Sequence, residues 1–441
     1  MLEDICIDNC LYLDLFIFLE RTIIQLIMSK LTIKDFDLSL EVDAAERAEL
    51  FQQYINQLDE EKCRAYWIEA IGGIKSQMTI RDIYSGKEKE IISFITNDYL
   101  GMSQNEEVIA AGIEAMKKYG TGACAAPVIG GYTDAHKKLE EDIAAFTGQE
   151  DAIVFSSGFG TNVGVLNALL GKNDIALVDT FIHVSLTEGL HTTNTKNIGH
   201  NNLEYLESTL KNVQDKYKTK MVIIDGLYSQ DGDLALLPDI IKLCKQYGAL
   251  LTMDDAHGIG VLGAGGRGTA EHYNVLGQVD IITGTFSKAF GCVGGFAAGS
   301  KKMIQYLKYY AKSNIFSTAM TPQVAASARK VIDVIRTKPE IRAKLWDNVH
   351  YLKKRLIDEG FDIGKTVSPI FPVMVRNDYK VQQASAALQK EGIYALGIIY
   401  PAVSKKEARI RVNIQATHKK EHLDYFVNSL CKIDTILKLR N

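Results

Sequence analysis

Residues 250–291 read LLTMDDAHGIGVLGAGGRGTAEHYNVLGQVDIITGTFSKAFG, and this stretch decides the fold class. It holds two short apolar runs, 250–253 and 281–283, each bounded by turn-forming residues, the pattern of strands buried on both faces. Each run delivers reactive groups at its end: Asp254, Asp255 and His257 after the first, Ser287 and Lys288 after the second. Just upstream, LPDIIKLCKQYG (237–248) has helical apolar spacing and closes on Gly248, a residue suited to a left-handed C-cap. Further apolar runs at 152–155, 175–178 and 221–224 alternate with amphipathic stretches. Strand–helix–strand alternation of this kind predicts an α/β fold with a mainly parallel sheet and helices on both faces.

After about residue 336 the pattern restarts. Helix-like ARKVIDVIRT (328–337) and IRAKLWDNVHYLKKRLIDEG (341–360) lead into a strand at 370–375. A helix (VQQASAALQKEG, 381–392), a strand (ARIRVNIQ, 408–415) and a closing helix from Lys420 follow, giving a smaller α+β domain. The expected parts are an N-terminal segment 1–95, a large domain 96–335 and a small domain 336–441. Within the first, 44–70 is charged and helical in pattern, with Leu50, Tyr54 and Leu58 at four-residue spacing. Residues 11–19 (LYLDLFIFL) are apolar, but Glu3, Asp4 and Asp8 precede them where a secretory signal needs positive charge. Asp14, Glu20 and Arg21 interrupt any membrane span. The alternatives are an amphipathic helix or upstream codons ahead of a start at Met28, and residues 1–27 are read as the second.

A net charge of -4 over 441 residues gives no electrostatic reason to expect nucleic acid or an anionic membrane as partner. The seven cysteines contain no CxxC pair and leave one over. That suits reduced thiols in the cytoplasm rather than a disulfide framework, and no metal site is expected.

Four features lie at the ends of expected strands, where open α/β sheets place their ligands. Ser156-Ser157-Gly158-Phe159-Gly160 precedes a helix and can present backbone N–H groups to an anion, although a plain tight turn would use the same residues. Met253-Asp254-Asp255-Ala256-His257-Gly258 sets a carboxylate at a strand end, a place equally natural for a helix N-cap. Lys288 sits in a small, hydroxyl-rich turn, which by itself reads as an exposed loop lysine, and His183 alone is more often structural than catalytic. Together they meet the needs of one cofactor. Pyridoxal phosphate requires a phosphate cradle, a lysine for a Schiff base and a carboxylate at its pyridine nitrogen.

The segments TNDYLG (96–101), GGYTDAHKKLEEDIAAFTG (130–148), SSGFGTN (156–162), HNNLEYLE (200–207) and YSQDGDLALLPDI (228–240) carry a resemblance, with MDDAHGIGVLGAGGRGTAEH (253–272), DIITGTFSKAFGCVGG (280–295), NIFSTAMTP (314–322) and ARIRVNIQATH (408–418). In this order they closely resemble the α-oxoamine synthases, a branch of the fold-type I pyridoxal-phosphate enzymes. The resemblance implies a seven-stranded-type large domain. It also implies that Lys288 is the Schiff-base lysine, Asp254 the partner of the pyridine nitrogen and His183 the histidine stacked on the ring. His257 and Ser229 match contacts to the phenolic oxygen, and Thr285 with the backbone of Gly158 and Phe159 matches the phosphate site. Ser317 and Thr318 match phosphate contacts from a neighbouring subunit, implying a homodimer with shared sites. Arg411 resembles the arginine that grips the amino-acid carboxylate, and Asn97 a polar contact to substrate. The family's Gly/Ser-rich run reads GTGACAAPVI (120–129) here, with Ala126-Pro127 in place of the customary polar pair.

The implied activity is decarboxylative condensation of an amino acid with an acyl thioester. The altered loop, and an apolar lining suggested by Phe286, Phe290 and Val293, favour serine or cysteate with a long-chain acyl-CoA or acyl-carrier protein. That is a serine palmitoyltransferase-like step of sphingolipid type, with peripheral membrane contact open. The alternatives are alanine with a pimeloyl thioester (8-amino-7-oxononanoate synthase, biotin biosynthesis), glycine with acetyl-CoA, and, in another class, an aminotransferase.

Overall fold

The structure, a computed structural model, describes residues 31–440. Residues 1–27, read above as an upstream extension, lie outside the described residues. The helix Ala44–Glu60 is capped by Asp43, whose carboxylate accepts from the N–H groups of Ala45 and Glu46. Tyr54 and Leu58 pack against Ala386, so the four-residue spacing marks the buried face. The helix stops well short of residue 70. Lys62 takes a left-handed φ of 50° and the Cys63 N–H returns to Leu58 O at 2.9 Å, a Schellman-type close that turns the chain.

Beyond that turn, β1 (Ala70–Ile71), β2 (Gln77–Arg81) and β3 (Glu88–Ser93) form an antiparallel sheet. The two-residue β12 (Ile393–Tyr394) joins it parallel to β3 from the far end of the chain. The main sheet comprises β4 (Asp151–Phe155), β5 (Ile175–Val178), β6 (Asn194–Asn197), β7 (Lys220–Asp225), β8 (Leu250–Asp254), β9 (Ile281–Thr285) and β10 (Gly295–Gly299). Its order is β4-β10-β9-β8-β7-β5-β6, parallel except for β10, which runs against both neighbours. The reason is length. Residues 286–294 link β9 to β10, and a parallel crossover needs about a dozen residues or more. Lys288 lies in that short link.

Alternate residues of one strand serve opposite layers. On β4, Ala152 and Val154 join the large core, while Ile153 and Phe155 pack with Val165, Ile304 and Leu307 on the other face. Fully burying each such aliphatic side chain contributes roughly 1.5–3 kcal/mol, which is why these strands read as continuous apolar runs. Phe286 and Phe290 also belong to the core. Their rings lie 5.3 Å apart, and Phe286 sits 5.5 Å from Phe296, so they do not line a substrate space. Val293 is exposed.

In the C-terminal part, β11 (Ile370–Met374), β14 (Arg409–Asn413) and β13 (Leu396–Ile398) form an antiparallel sheet in the order β11-β14-β13. The helices Pro339–Asp358, Asp378–Lys390 and Lys420–Leu437 accompany it. Arg411, on β14, reaches the carboxyl-end loops of the main sheet, where its Nε donates to Ser229 O at 2.8 Å.

Candidate active site

Strands β4, β5, β7, β8 and β9 run the same way, so their carboxyl ends open on one cleft. Asp254 ends β8 and is buried. One carboxylate oxygen accepts from the Ala256 N–H at 2.9 Å, and the other from Asn162 Nδ2 at 2.7 Å. Asp225 ends β7 as its neighbour and accepts the His183 N–H at 3.3 Å. Burial, reinforced by the charge of Asp254, pushes the Asp225 carboxyl well above the usual range.

Lys288 is half-buried beside these carboxyls. Burial lowers its ammonium below the ordinary lysine value; Asp254 and Asp225 oppose that shift and the Arg411 charge adds to it. A lysine so held has a larger neutral fraction near neutral pH, as a nucleophile or base requires. His257 is buried, its Nδ1 2.7 Å from the Tyr99 hydroxyl. Burial, with the charges of Lys288 and Arg411, holds its pKa well below that of free histidine. His183 is exposed to the cleft, its Nδ1 2.7 Å from Ser185 Oγ.

The turn after β4 comes against the end of β9. Gly158 approaches Thr285 so closely that an added Cβ would lie 2.8 Å from Thr285 Cβ and Oγ1. Ser157 caps the helix Gly158–Leu169 by accepting the Gly160 N–H at 2.9 Å. The Phe159 side chain is exposed. Thr285 Oγ1 donates to Gly294 O at 2.8 Å and lies 2.8 Å from Ser287 Oγ. Ser317 Oγ sits 3.5 Å from Ser156 Oγ, at the edge of the same turn, while Thr318 is exposed.

Arg411 closes the other side. Its Nη2 donates to Asn97 Oδ1 at 3.3 Å, while its Nε holds the Ser229 carbonyl. Asn97 Oδ1 also accepts from Asn413 Nδ2 at 3.1 Å. The fold thus brings Lys288, Asp254, His183, His257, Ser229, Asn97 and Arg411 toward one cleft, with Gly158, Phe159 and Thr285 at the turn after β4. Sequence reasoning missed Asn162, Asp225, Ser185 and Tyr99. A signal existed for Asn162, two residues beyond Gly160 in the quoted turn, and for Tyr99, inside TNDYLG.

A model of the family "aminotransferase class I and II" matches residues 89–430. An 8-amino-7-oxononanoate synthase of Thermoanaerobacter pseudethanolicus is 39% identical over 374 residues, covering 83% of this chain and 95% of that protein. A serine palmitoyltransferase of Sphingobacterium spiritivorum is 37% identical over 347 residues, covering 78% and 87%. A solved structure of SPT with its PLP internal aldimine superposes with a TM-score of 0.84 at 28% identity, covering 90% of this chain and 100% of that one.

Proposed function

The chain belongs to the aminotransferase class I and II family and, within it, to the pyridoxal-phosphate-dependent α-oxoamine synthases, and from that premise we propose that it joins an amino acid to an acyl thioester with loss of carbon dioxide. The observation that carries the site is the convergence of Lys288, Asp254 and the Gly158–Thr285 contact at one end of the main sheet.

These residues fit the cofactor chemically. The tight approach of Gly158 to Thr285 leaves room for backbone N–H groups of Gly158 and Phe159 to face a phosphate, and the helix Gly158–Leu169 begins there. When bound, pyridoxal phosphate supplies an electron sink for the negative charge left at the amino acid's α-carbon. Asp254, fixed by two donors, would face the pyridine nitrogen. Lys288 would hold the cofactor through its amine, and the same Nζ would take the α-proton of the amino acid. His183 would cover one ring face, and His257 and Ser229 would face the phenolic oxygen. Arg411, with Asn97 beside it, grips the substrate carboxylate, a task suited to a planar guanidinium.

For the second subunit, Ser317 and Thr318 reach a neighbour's phosphate site in a homodimer. Exposed Phe316, next to that segment in sequence, and exposed Ile129, on the loop tied to it by the bond from the Ala319 N–H to Ala125 O, support an interface there. No helix among the described residues is long and apolar enough to cross a membrane. Cys124, Cys244 and Cys292, not joined in disulfides among the described residues, support a cytoplasmic reading.

For the substrate, the greater identity and coverage of the 8-amino-7-oxononanoate synthase favour alanine with a pimeloyl thioester. The core position of Phe286 and Phe290 removes one argument for a long acyl chain. A lipid-base reading, serine or cysteate with a long acyl thioester, stays as the second because of the 0.84 TM-score to SPT. Thiol release from short, pimeloyl and long acyl thioesters with alanine, serine, cysteate and glycine decides. Turnover of alanine with the pimeloyl thioester supports the first reading; turnover confined to serine or cysteate with a long chain replaces it. Amino-group transfer without thiol release would make the chain an aminotransferase and overturn both.

A further inference from the structure

A row of polar side chains runs beneath the cleft floor, and its hydrogen atoms can be assigned one after another. Asn162 Nδ2 lies 2.7 Å from Asp254 Oδ2 and 2.8 Å from Ser185 Oγ, while Asn162 Oδ1 lies 2.7 Å from Thr283 Oγ1. Ser185 Oγ is in turn 2.7 Å from His183 Nδ1. Asn162, Asp254, Ser185 and Thr283 are all buried, so no bulk water competes for the bonds among these four.

A carboxylate can only accept, so Asp254 forces the amide nitrogen of Asn162 toward itself and the amide oxygen toward Thr283. The same nitrogen gives its second hydrogen to Ser185 Oγ. That leaves the hydroxyl hydrogen of Ser185 free to point at His183 Nδ1. The Ser185 backbone N–H, a donor that cannot reverse, aims at the same ring nitrogen at 3.3 Å. With two donors facing it, Nδ1 must be the acceptor, and the ring hydrogen resides on Nε2. His183 Nε2 has no partner among the described residues, so this N–H is left for the cleft.

We propose that Asn162 and Ser185 are positioning residues that lock His183 as the neutral Nε2–H tautomer and tie that choice to the carboxylate of Asp254. The inference rests on His183 covering the cofactor ring. A ring held neutral, with its N–H toward the substrate, keeps one donor in place through turnover and adds no cation beside Lys288. The direction of the His183 shift, lowered chiefly by burial with Asp254 opposing and Lys288 assisting, agrees with a neutral ring. The charged and titratable groups facing it are Asp225, Asp254, Lys288 and His257.

The test is histidine-selective 15N NMR of the holoenzyme across pH, with the His183 resonances identified by loss in His183→Gln. The expected spectrum of the unaltered protein has a bare Nδ1 and a protonated Nε2 down to pH values where free histidine is charged. Ser185→Ala should raise the His183 pKa by one unit or more, a tenfold change in proton affinity, and Ser185→Thr should restore it. Asn162→Ala should act in the same direction. If that variant fails to fold, the Ser185 pair carries the test. A protonated Nδ1 in the unaltered protein, or Ser185→Ala with an unmoved tautomer and titration, overturns the proposal even where the enzyme turns over. Loss of the cofactor from Lys288 is a separate result that would overturn the functional reading instead.

Discussion

Asp225 and Asp254 stand side by side as register partners on β7 and β8, both buried, yet the chain places them in different hydrogen-bonding environments. Asp254 accepts two hydrogen bonds, from Asn162 and Ala256, while Asp225 accepts one long bond from the His183 N–H. Two adjacent buried carboxyls do not both ionise at little cost, and burial with the neighbouring charge pushes Asp225 upward. The pair is therefore held differently: Asp254 by two donors, Asp225 by one, with burial and the neighbouring charge pushing the Asp225 carboxyl upward.

Asp225→Asn should accordingly keep the cofactor, since Asn preserves the acceptor for the His183 N–H. A carboxyl raised in the folded state stabilises below its unfolded pKa, and that contribution is lost as pH rises through the folded value. Thermal melts across pH should show Asp225→Asn losing less stability on the alkaline side than the unaltered protein. A steeper alkaline loss in the variant would mean that Asp225 is ionised and paired.

His200 predicts the opposite kind of partner. It bridges Asp179 at 3.0 Å and Asp233 at 2.9 Å, joining the loop that leads to His183 to the loop that follows Ser229. Burial pushes its pKa down, but the two carboxylates outweigh it and raise it to about 9. The stabilisation is complete below the unfolded value of about 6.5 and disappears as pH rises through about 9. From 6.5 to about 9 this amounts to at most roughly 3 kcal/mol. His200→Gln should lower the melting temperature strongly at pH 6 and little at pH 10; an equal loss at both would assign His200 a packing role only.

Arg411→Lys tests the carboxylate grip. The change keeps the charge but removes the planar fork and the Nε bond to Ser229 O. Losing one charged hydrogen bond costs about 1.5–3 kcal/mol, so kcat/KM for the amino acid should fall by roughly 10- to 100-fold. Dependence on the acyl thioester should change little. A loss confined to the thioester would move Arg411 to the other substrate.

Gly158→Ala probes the phosphate turn. The new Cβ would meet Thr285 Cβ and Oγ1 at 2.8 Å, closer than carbon atoms tolerate, and the branched Thr285 cannot swing away freely. Cofactor titration followed by visible absorbance should show weaker binding, and the clash should also lower the melting temperature of the apoprotein. Unchanged cofactor affinity would exclude this turn as the cradle.

Much of this was legible because chemistry and burial coincide in the chain. The runs ending at Asp254 and Thr285 are apolar on both faces, so each announces a buried strand and the reactive residue beyond it. Asp225 carries the same mark at the end of the 221–224 run and was overlooked, whereas Ser185 carries none: a lone polar residue does not reveal what it will face once helix and sheet pack. Phe286 and Phe290 stand next to Lys288 and Gly291 in sequence, and only the fold turns their rings inward against Phe296 and leaves the lysine in the cleft. Nor could two residues, Ile393 and Tyr394, reveal that they extend a sheet begun at Ala70.

The central claim is that Lys288 carries the cofactor. Borohydride reduction of the holoenzyme, followed by peptide mapping, fixes the point of attachment permanently. The account predicts a pyridoxyl group on Lys288 and none on Lys288→Ala, whose turnover should fall by about 10²-fold or more. A label on another lysine, or full labelling of the Lys288→Ala protein, would contradict it.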